Sequence, residues 1–295
     1  MYKFIKKIII WGSCLLILIN IISILCLQSI AHSNFYKPSF VNELDQKTYD
    51  YIVLGSSTGL TTIDTKLLDK LSGLSGLNLS MDDTALPSHF LMLNHFITHE
   101  IKTKKIILSI TPWDIKNTQL VIGNNDYRFL PFIYNDYVVN HFNELSENPI
   151  NMYSLSYYLP FYGFSYYNTE LFPPSLVALM DSKYRNRFDN KGNYVYPNSN
   201  FNSNSITKSE YQLEINNPYI SKIVKLCEAN DIELILYQSP IFKAEYKKIN
   251  TEYNFVNDID LLSDSKYFYD RIHVNKKGRE LTTQNLAQIL KNKTH

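Results

Sequence analysis

The stretch Tyr51-Ile52-Val53-Leu54-Gly55-Ser56-Ser57-Thr58 decides the fold. Four apolar residues that end at a glycine are typical of a short buried strand. The serines and the threonine that follow are residues that favour turns and helix starts. Gly55 allows the chain to turn tightly and leaves the hydroxyl of Ser57 exposed. A strand that passes through a tight turn into a helix predicts the first unit of a parallel sheet.

The same alternation of strand and helix continues along the chain. The predicted strands are Tyr51–Leu54, Leu77–Leu79, Lys105–Ile110, Ile232–Tyr237 and Phe255–Val256. The predicted helices are Thr62–Leu71, Leu86–Ile101, Tyr219–Ala229, Lys243–Lys248 and Lys276–Lys291. This order predicts an α/β sandwich of three layers, with a five-stranded parallel sheet between two layers of helices.

The first thirty residues predict a membrane anchor. Lys3, Lys6 and Lys7 precede an apolar run from Ile8 to Leu27. At ~1.5 Å per residue, this run matches the thickness of a bilayer core. Lysines before the run favour a cytoplasmic N-terminus, with the remaining chain outside the cytoplasmic membrane. The predicted organisation is an anchor over residues 1–31, a stalk over 32–47, and a domain over 48–295 with an aromatic-rich insertion at about 115–216.

A cleaved signal peptide is the alternative, with Ser29-Ile30-Ala31 as its small-residue cleavage site. The apolar run is long for that purpose, since ~7–15 residues is typical. A lipid-attached Cys26 is disfavoured because bulky Leu25 precedes it. Cys14 and Cys26 lie in the apolar run, so Cys227 stands alone in the remaining chain and no disulfide is expected there.

A second polar motif, Asp270-Arg271-Ile272-His273, precedes the last predicted helix. A carboxylate three residues before a histidine can hold the imidazole in the tautomer whose other nitrogen acts as a base. A serine on a strand-to-helix turn supplies the nucleophile that such a base activates. The sequence therefore predicts a triad of Ser57, His273 and Asp270, provided that the fold brings the two motifs together.

The two motifs together resemble those of the SGNH (GDSL-like) hydrolase superfamily. Its first block is a strand followed by Gly-Asp-Ser, here Gly55-Ser56-Ser57, and its last block is Asp-x-x-His before the final helix, with Gly278 in the usual trailing position. The resemblance covers roughly residues 48–114 and 218–292. It implies an SGNH or flavodoxin-like sheet, Ser57 as nucleophile, His273 as base and Asp270 as the residue that orients it.

The middle blocks of that superfamily are altered here. The second block is often Asn-x-Gly, and the candidate here is Asn78-Leu79-Ser80. The third block normally carries an asparagine that donates to the oxyanion, whereas Thr111-Pro112-Trp113-Asp114 has none. The resemblance then implies backbone N–H groups of Ser57 and Ser80 as the oxyanion donors. Loss of one such side-chain donor costs ~10²–10³ in rate in other acyl-transfer enzymes.

Membrane-anchored members of that superfamily modify bacterial cell-envelope polysaccharides, as in alginate acetylation and teichoic-acid D-alanylation. The resemblance implies a serine ester hydrolase or O-acyltransferase that needs no cofactor and acts on an acylated glycan or acyl donor. It also implies a partner acyltransferase in the membrane. A catalytically inactive glycan-binding or scaffold protein is the alternative that the altered blocks leave open.

Other features of the sequence predict no further catalytic or metal site. The net charge of +1 gives no global attraction to nucleic acid, and no nucleic-acid partner is expected. His95 and His99 have a metal-ligand spacing but no third ligand, so no metal is expected. Asp82 and Asp83 suit a helix cap. The tyrosines of the insertion suit either internal packing or stacking on sugars; they are Tyr153, Tyr157, Tyr158, Tyr162, Tyr166 and Tyr167.

Overall fold

The computed structural model describes residues 1–116, 121–148, 150–198, 201–203 and 205–292. The remaining positions lie outside the described residues, and all but the last three of them fall in the predicted insertion. The helices are α1 Tyr2–Ala31, α2 Lys37–Asn42, α3 Ser57–Thr62, α4 Thr65–Ser72, α5 Leu86–Thr98, α6 Pro112–Lys116, α7 Asp136–Leu145, α8 Met152–Tyr158, α9 Pro160–Tyr166, α10 Asn168–Met180, α11 Pro218–Glu228 and α12 Lys276–Asn292. The strands are β1 Thr48–Leu54, β2 Gly76–Asn78, β3 Lys102–Ile110, β4 Ser209–Glu214, β5 Glu233–Gln238, β6 Ala244–Asn250 and β7 Phe255–Asn257. Short 3-10 helices cover Asp126–Phe132 and Ser265–Tyr267.

The chain divides into two compact units. A helical unit comprises Met1–Leu44 and Asp126–Asn186, and an α/β unit comprises Asp45–Asn125 and Arg187–His295. The predicted insertion thus contains helices of its own, and its C-terminal part belongs to the α/β unit. Among the described residues of that unit, five parallel strands form one sheet in the order β2-β1-β3-β5-β7. The prediction of an α/β fold with a five-stranded parallel sheet is confirmed.

Helices cover both faces of this sheet. On one face, Tyr51, Ile107 and Ile235 pack with Leu68 of α4 and Leu286 of α12 in a single buried cluster. Because side chains alternate along a strand, the residues between them point to the other face. There α5 contacts β1, α11 contacts β5, and the two helices contact each other. Burial on both faces explains why the strands read as continuous apolar runs.

The strand order changes direction beside β1. The chain leaves β1 for β2 on one side and reaches β3 on the other, so the order reverses between β1 and β3. In open parallel sheets, ligands bind at the carboxyl ends of the strands beside such a reversal. Ser57 follows β1 directly, and the segment from Thr111 to Asp114 follows β3.

The predicted helix Lys243–Lys248 is wrong. This segment is strand β6, Ala244–Asn250, which pairs in parallel with β4, Ser209–Glu214, to form a separate small sheet. Ion pairs between the two strands, Lys247 with Glu210 and Lys208 with Glu245, accompany the pairing. The partner strand lies in the predicted insertion, so local periodicity could not indicate it.

The N-terminal region also differs in part from the prediction. Helix α1 has 30 residues and is long and apolar enough to span a membrane. The segment predicted as a polar stalk, residues 32–47, instead contains helix α2, in which Phe40 and Val41 are buried. Pro38 lies in the first turn of that helix, where proline is tolerated.

The buried carboxyl group of Asp258 makes stability depend on pH. Burial raises its pKa from 3.8 to about 6, although Tyr237 and Asn285 donate to it. A carboxyl with a raised folded-state pKa binds its proton more tightly in the folded state, so stability falls as pH rises from about 4 to 6. The full loss is about 3 kcal/mol, of which about 2 kcal/mol falls between these two pH values. We predict that Asp258→Asn removes it, so that the melting temperature of the variant declines less than that of the wild type between these pH values.

The matched control is Asp260→Asn, because Asp260 is exposed two residues further along. This control should keep most of the pH dependence of the wild type, because the charge of Asp260 is the smallest of the causes that set the pKa of Asp258. Parallel melting curves for Asp258→Asn and wild type across this pH range would contradict the prediction.

Candidate active site

Ser57 and His273 are in hydrogen-bond contact in the α/β unit. The distance from Ser57 Oγ to His273 Nε2 is 2.8 Å, and the distance from His273 Nδ1 to Asp270 Oδ2 is also 2.8 Å. An ionised carboxylate only accepts, so Nδ1 carries the proton and Nε2 accepts from the serine hydroxyl. The fold therefore brings together the three residues that the sequence predicted as a triad.

Asp270 is held as a carboxylate by several donors. Its Oδ1 accepts from the backbone N–H groups of Ile272 and His273, each at 2.9 Å. Burial alone would raise the pKa of Asp270, but the hydrogen bond from the His273 ring and those from the backbone hold the pKa below its usual range. The carboxylate is half-buried, while the His273 side chain is largely buried. The ring of His273 is thus fixed at Nδ1 by a group that stays ionised.

The turn that carries Ser57 fits closely against β3. A Cβ atom added to Gly55 would lie 2.8 Å from Cβ of Ser109, and one added to Gly59 would lie 2.9 Å from the same atom. Both separations are shorter than side chains tolerate, so only glycine fits at either position. The first turn of α3 therefore lies directly on the end of β3, with Ser57 as its first residue.

Hydroxyl groups fill the space beneath this turn. Ser109 Oγ is 3.4 Å from Thr58 Oγ1 and 3.2 Å from Ser239 Oγ. Ser56 Oγ is 3.3 Å from Thr58 Oγ1. These contacts connect the turn after β1 to the ends of β3 and β5. They join the first turn of α3 to both strand ends through hydroxyl groups.

The second altered block has a structural role. The amide of Asn78 donates to the carbonyls of Gly59, Leu60 and Ile63, and therefore holds α3 against the end of β2. Its Oδ1 accepts from the backbone N–H of Ser80 at 3.1 Å. That N–H therefore already has an acceptor within the protein, and an oxyanion role for Ser80 stays a prediction. The Oγ of Ser80 is buried and has no hydrogen-bond partner among the described residues.

The segment Thr111-Pro112-Trp113-Asp114 is held by hydrogen bonds between its own first and last residues. Asp114 Oδ2 accepts from both the backbone N–H and the hydroxyl of Thr111, at 3.1 and 2.6 Å. Burial raises the pKa of Asp114 to about 6. The carboxyl thus shapes the turn after β3, where the superfamily carries its asparagine. Trp113, between these residues, is exposed.

The loop that carries His273 is attached to the start of α12 by Asn275. Its amide donates to the carbonyls of Lys266 and Phe268, and its Oδ1 accepts from the N–H groups of Lys277 and Gly278. Asparagine in this position is a common helix cap. One side chain therefore both closes the loop and begins the helix.

Helix α12 is in turn bonded to the chain just after α3. Arg279 donates to the carbonyl of Ile63 at 3.0 Å, and Thr282 donates to that of Thr62 at 2.9 Å. The backbone N–H of Asp64 donates to Thr283 Oγ1 at 3.0 Å. These bonds fix the helix after His273 to the helix that begins at Ser57.

Tyr196 was not anticipated from the sequence. Its ring meets that of His273 edge-on, with centroids 5.2 Å apart, and stacks on Tyr269 at 4.4 Å. Such aromatic contacts restrict the orientation of the imidazole. The segment around Tyr196 lies in the aromatic-rich insertion and shows no periodicity, so no local signal distinguishes this tyrosine from its neighbours.

The weaker candidates have these surroundings. The rings of His95 and His99 lie 4.3 Å apart in a tilted arrangement, and within the described ranges no group of three or more metal-ligating side chains occurs. The expected cap at Asp82 and Asp83 is wrong, because the N-cap of α5 is Ala85 and no side chain caps it. In the helical unit, Tyr153 is buried and stacked on Phe142.

The chain matches no family model, and no curated protein matches it. A functional assignment therefore depends on the geometry of Ser57, His273 and Asp270 and on the residues that surround them. The resemblance of the two motifs to the SGNH superfamily stays a prediction.

Substitution of Gly278 tests whether close packing at the start of α12 positions the loop that carries His273. A Cβ atom added there would lie 2.3 Å from the carbonyl oxygen of Tyr267 and 2.9 Å from Cβ of Val274. Alanine gains about 1 kcal/mol in helix propensity, but overpacking against backbone costs about 1–3 kcal/mol. We predict that Gly278→Ala lowers the melting temperature and slows labelling of Ser57 by a serine-reactive probe, because the His273 loop must move.

The matched control is Gly12→Ala in α1, where an added Cβ atom meets nothing within 4 Å. This variant should behave as the wild type in both measurements. A Gly278→Ala protein that melts and reacts like the wild type would show that the close approach does not constrain the loop.

Proposed function

We propose that this protein is a serine acyl-ester hydrolase or O-acyltransferase, with Ser57 as nucleophile, His273 as general base and Asp270 as the residue that orients the base. The observation that carries this proposal is the pair of 2.8 Å contacts joining Ser57 Oγ, the His273 ring and the Asp270 carboxylate. A nucleophile, its base and the group that orients the base, all within hydrogen-bond reach, are the geometric requirement for acyl transfer.

In the first half-reaction, Ser57 Oγ attacks the carbonyl carbon of an ester while its proton passes to Nε2 of His273. When the tetrahedral intermediate breaks down, the same proton passes to the departing alcohol oxygen, and the acyl group stays on Ser57. Asp270 stabilises the positive charge that the ring carries between these steps.

In the second half-reaction, a hydroxyl group attacks the acyl carbon and gives its proton to His273. The acyl group leaves on that oxygen, and Ser57 Oγ takes the proton back from the ring. Water as the attacking hydroxyl makes the enzyme an esterase, and a sugar hydroxyl makes it a transferase.

The backbone N–H of Ser57 is the oxyanion donor that this proposal retains. It lies in the first turn of α3, which has no side-chain cap among the described residues. Ser80 is the weaker of the two predicted donors, because its N–H already donates to Asn78. With fewer donors, the enzyme is expected to be slower than superfamily members that carry the third-block asparagine.

The proposed substrate is an acyl ester of an exported or cell-surface polysaccharide. Lys3, Lys6 and Lys7 before the apolar run favour an N-terminus inside the cytoplasm, so that the α/β unit lies outside the cytoplasmic membrane. The superfamily resemblance supports a glycan substrate and, for transfer, a membrane-bound acyltransferase that supplies the acyl group.

A catalytically inactive, glycan-binding or scaffold protein is the second candidate. Two observations favour it: the Ser80 N–H is occupied by Asn78, and the turn after β3 carries the carboxyl of Asp114 in place of an amide. A protein of this kind keeps the arrangement of the triad without turning over an ester.

Labelling with a fluorophosphonate probe separates the two candidates, because the probe forms a bond from phosphorus to the serine oxygen and expels fluoride only where the serine is activated. We predict labelling of the wild type and none of Ser57→Ala. His273→Ala should lose most of the rate, and Asp270→Asn should lose up to ~10⁴-fold, as when a triad histidine is held in the wrong tautomer.

The matched control is Ser56→Ala, which removes the neighbouring hydroxyl but keeps Ser57 and the contacts of Thr58 and Ser239 with Ser109 that join the turn to β3 and β5. This variant should label as the wild type does. A folded wild-type protein that the probe does not label would support the inactive candidate instead.

The acyl content of the cell's surface polysaccharide separates hydrolysis from transfer. We predict that a Ser57→Ala strain loses an acyl group from the glycan if the enzyme is a transferase and gains one if it is an esterase. Mass spectrometry of the purified polysaccharide measures this change, with a Ser56→Ala strain as control. An acyl pattern identical to that of the wild type would contradict a role in glycan modification.

A further inference from the structure

Helix α10 exposes an apolar face in the helical unit. Its buried side is formed by Leu171, Pro174, Ser175 and Ala178. Its exposed side consists of Phe172, Leu176, Leu179 and Met180, of which 46, 44, 69 and 89% are accessible. Their spacing places these four residues on one side of the helix. A helix that is apolar on both its buried and its exposed side is typical of a membrane environment.

The neighbouring sequence is almost free of charge. From Met152 to Met180, which covers α8, α9 and α10, Glu170 is the single charged residue. Just beyond this stretch come Asp181, Lys183 and Arg185. Exposed tyrosines at Tyr158 and Tyr166 accompany the apolar residues. Tyrosines and flanking basic residues beside an apolar segment are characteristic of the boundary between lipid and water.

Helix α1 packs against these helices over its C-terminal half. The backbone N–H of Phe161, in α9, donates to Oδ1 of Asn20 at 3.1 Å. The hydroxyl of Ser29 donates to the carbonyl of Ser175, in α10, at 3.1 Å. The buried residues of α1 lie in the same half and form one stripe: Ser23, Cys26, Leu27, Ile30 and Ala31.

This packing fixes the depth of α9 and α10 once α1 crosses a bilayer. At ~1.5 Å per residue, Asn20 lies about 10 Å from Leu27, where the apolar run ends. The start of α9 then lies about 10 Å inside the hydrocarbon. Helix α10 lies near that boundary, because Tyr36, which follows α1, donates to the carbonyl of Glu170 at 2.5 Å.

We propose that α9 and α10 are seated in the bilayer leaflet that contains the C-terminal end of α1, with the exposed face of α10 against lipid acyl chains. The occupant of this face is the bilayer because the face continues the apolar surface of α1. The protein is then held by one spanning helix and an interfacial helix pair. This inference does not depend on the proposed catalytic function.

Quenching of tryptophan by brominated lipid tests the proposal on the full chain in phosphatidylcholine vesicles. The native tryptophans are first replaced as Trp11→Phe and Trp113→Phe. Leu176→Trp or, if that variant does not fold, Leu179→Trp then reports from the α10 face. We expect blue-shifted emission that is largely lost when the acyl chains are brominated near their glycerol end.

Leu281→Trp is the matched control, because Leu281 is a leucine on α12 of the α/β unit with a similar exposure of 38%. Its emission should be the same with and without bromine. Emission from the α10 variants at the wavelength of exposed tryptophan, without quenching, would overturn the proposal. Blue-shifted emission without quenching would also overturn it, because a second copy of the chain would then cover the face.

Discussion

Three hydrogen bonds between α12 and the chain that follows α3 hold the candidate site together. Arg279, Thr282 and the backbone N–H of Asp64 make them, between segments more than two hundred residues apart. Helix α3 begins at Ser57, and the loop before α12 carries His273. The 2.8 Å contact between Ser57 and His273 therefore depends on how α12 is bonded to the end of α3.

Helix α3 is also bonded to the end of β2 and packed on β3. Asn78 donates to two carbonyls of α3 and to that of Ile63 just after it, and two glycines, Gly55 and Gly59, let the turn lie against the end of β3. This use of Asn78 has a chemical consequence, because its side-chain oxygen also accepts a hydrogen bond from the backbone N–H of Ser80. The arrangement that positions the nucleophile thus uses a donor that an oxyanion would need. Ser57 is in hydrogen-bond contact with His273, and His273 with Asp270, whereas the proposed oxyanion site would have fewer donors than the predicted resemblance implies.

The sequence predicted those features that local patterns encode. Strand β3 was predicted over Lys105–Ile110 because its buried part reads as an apolar run, and the Asp270 to His273 spacing was sufficient to predict the loop. Strand β6 was missed because its partner β4 is distant in the chain. Tyr196 and the use of the Ser80 N–H were missed because they depend on tertiary contacts that no local pattern records. The stretch from Met152 to Met180 has almost no charged residues, a pattern that indicates membrane contact. Its many aromatic residues suited packing or sugar binding equally well, so membrane contact was not predicted there.

The central claim is that Ser57 becomes acylated and His273 drives the transfer. Its most direct test is to mix the protein with an activated acetyl ester, quench with acid within the first turnover, and locate the acetyl group by peptide mass spectrometry. We predict an acetyl group on the peptide that contains Ser57, and much less acetylation of that peptide in the His273→Ala variant. Acetylation confined to other residues, or equal amounts on Ser57 in wild type and His273→Ala, would contradict it.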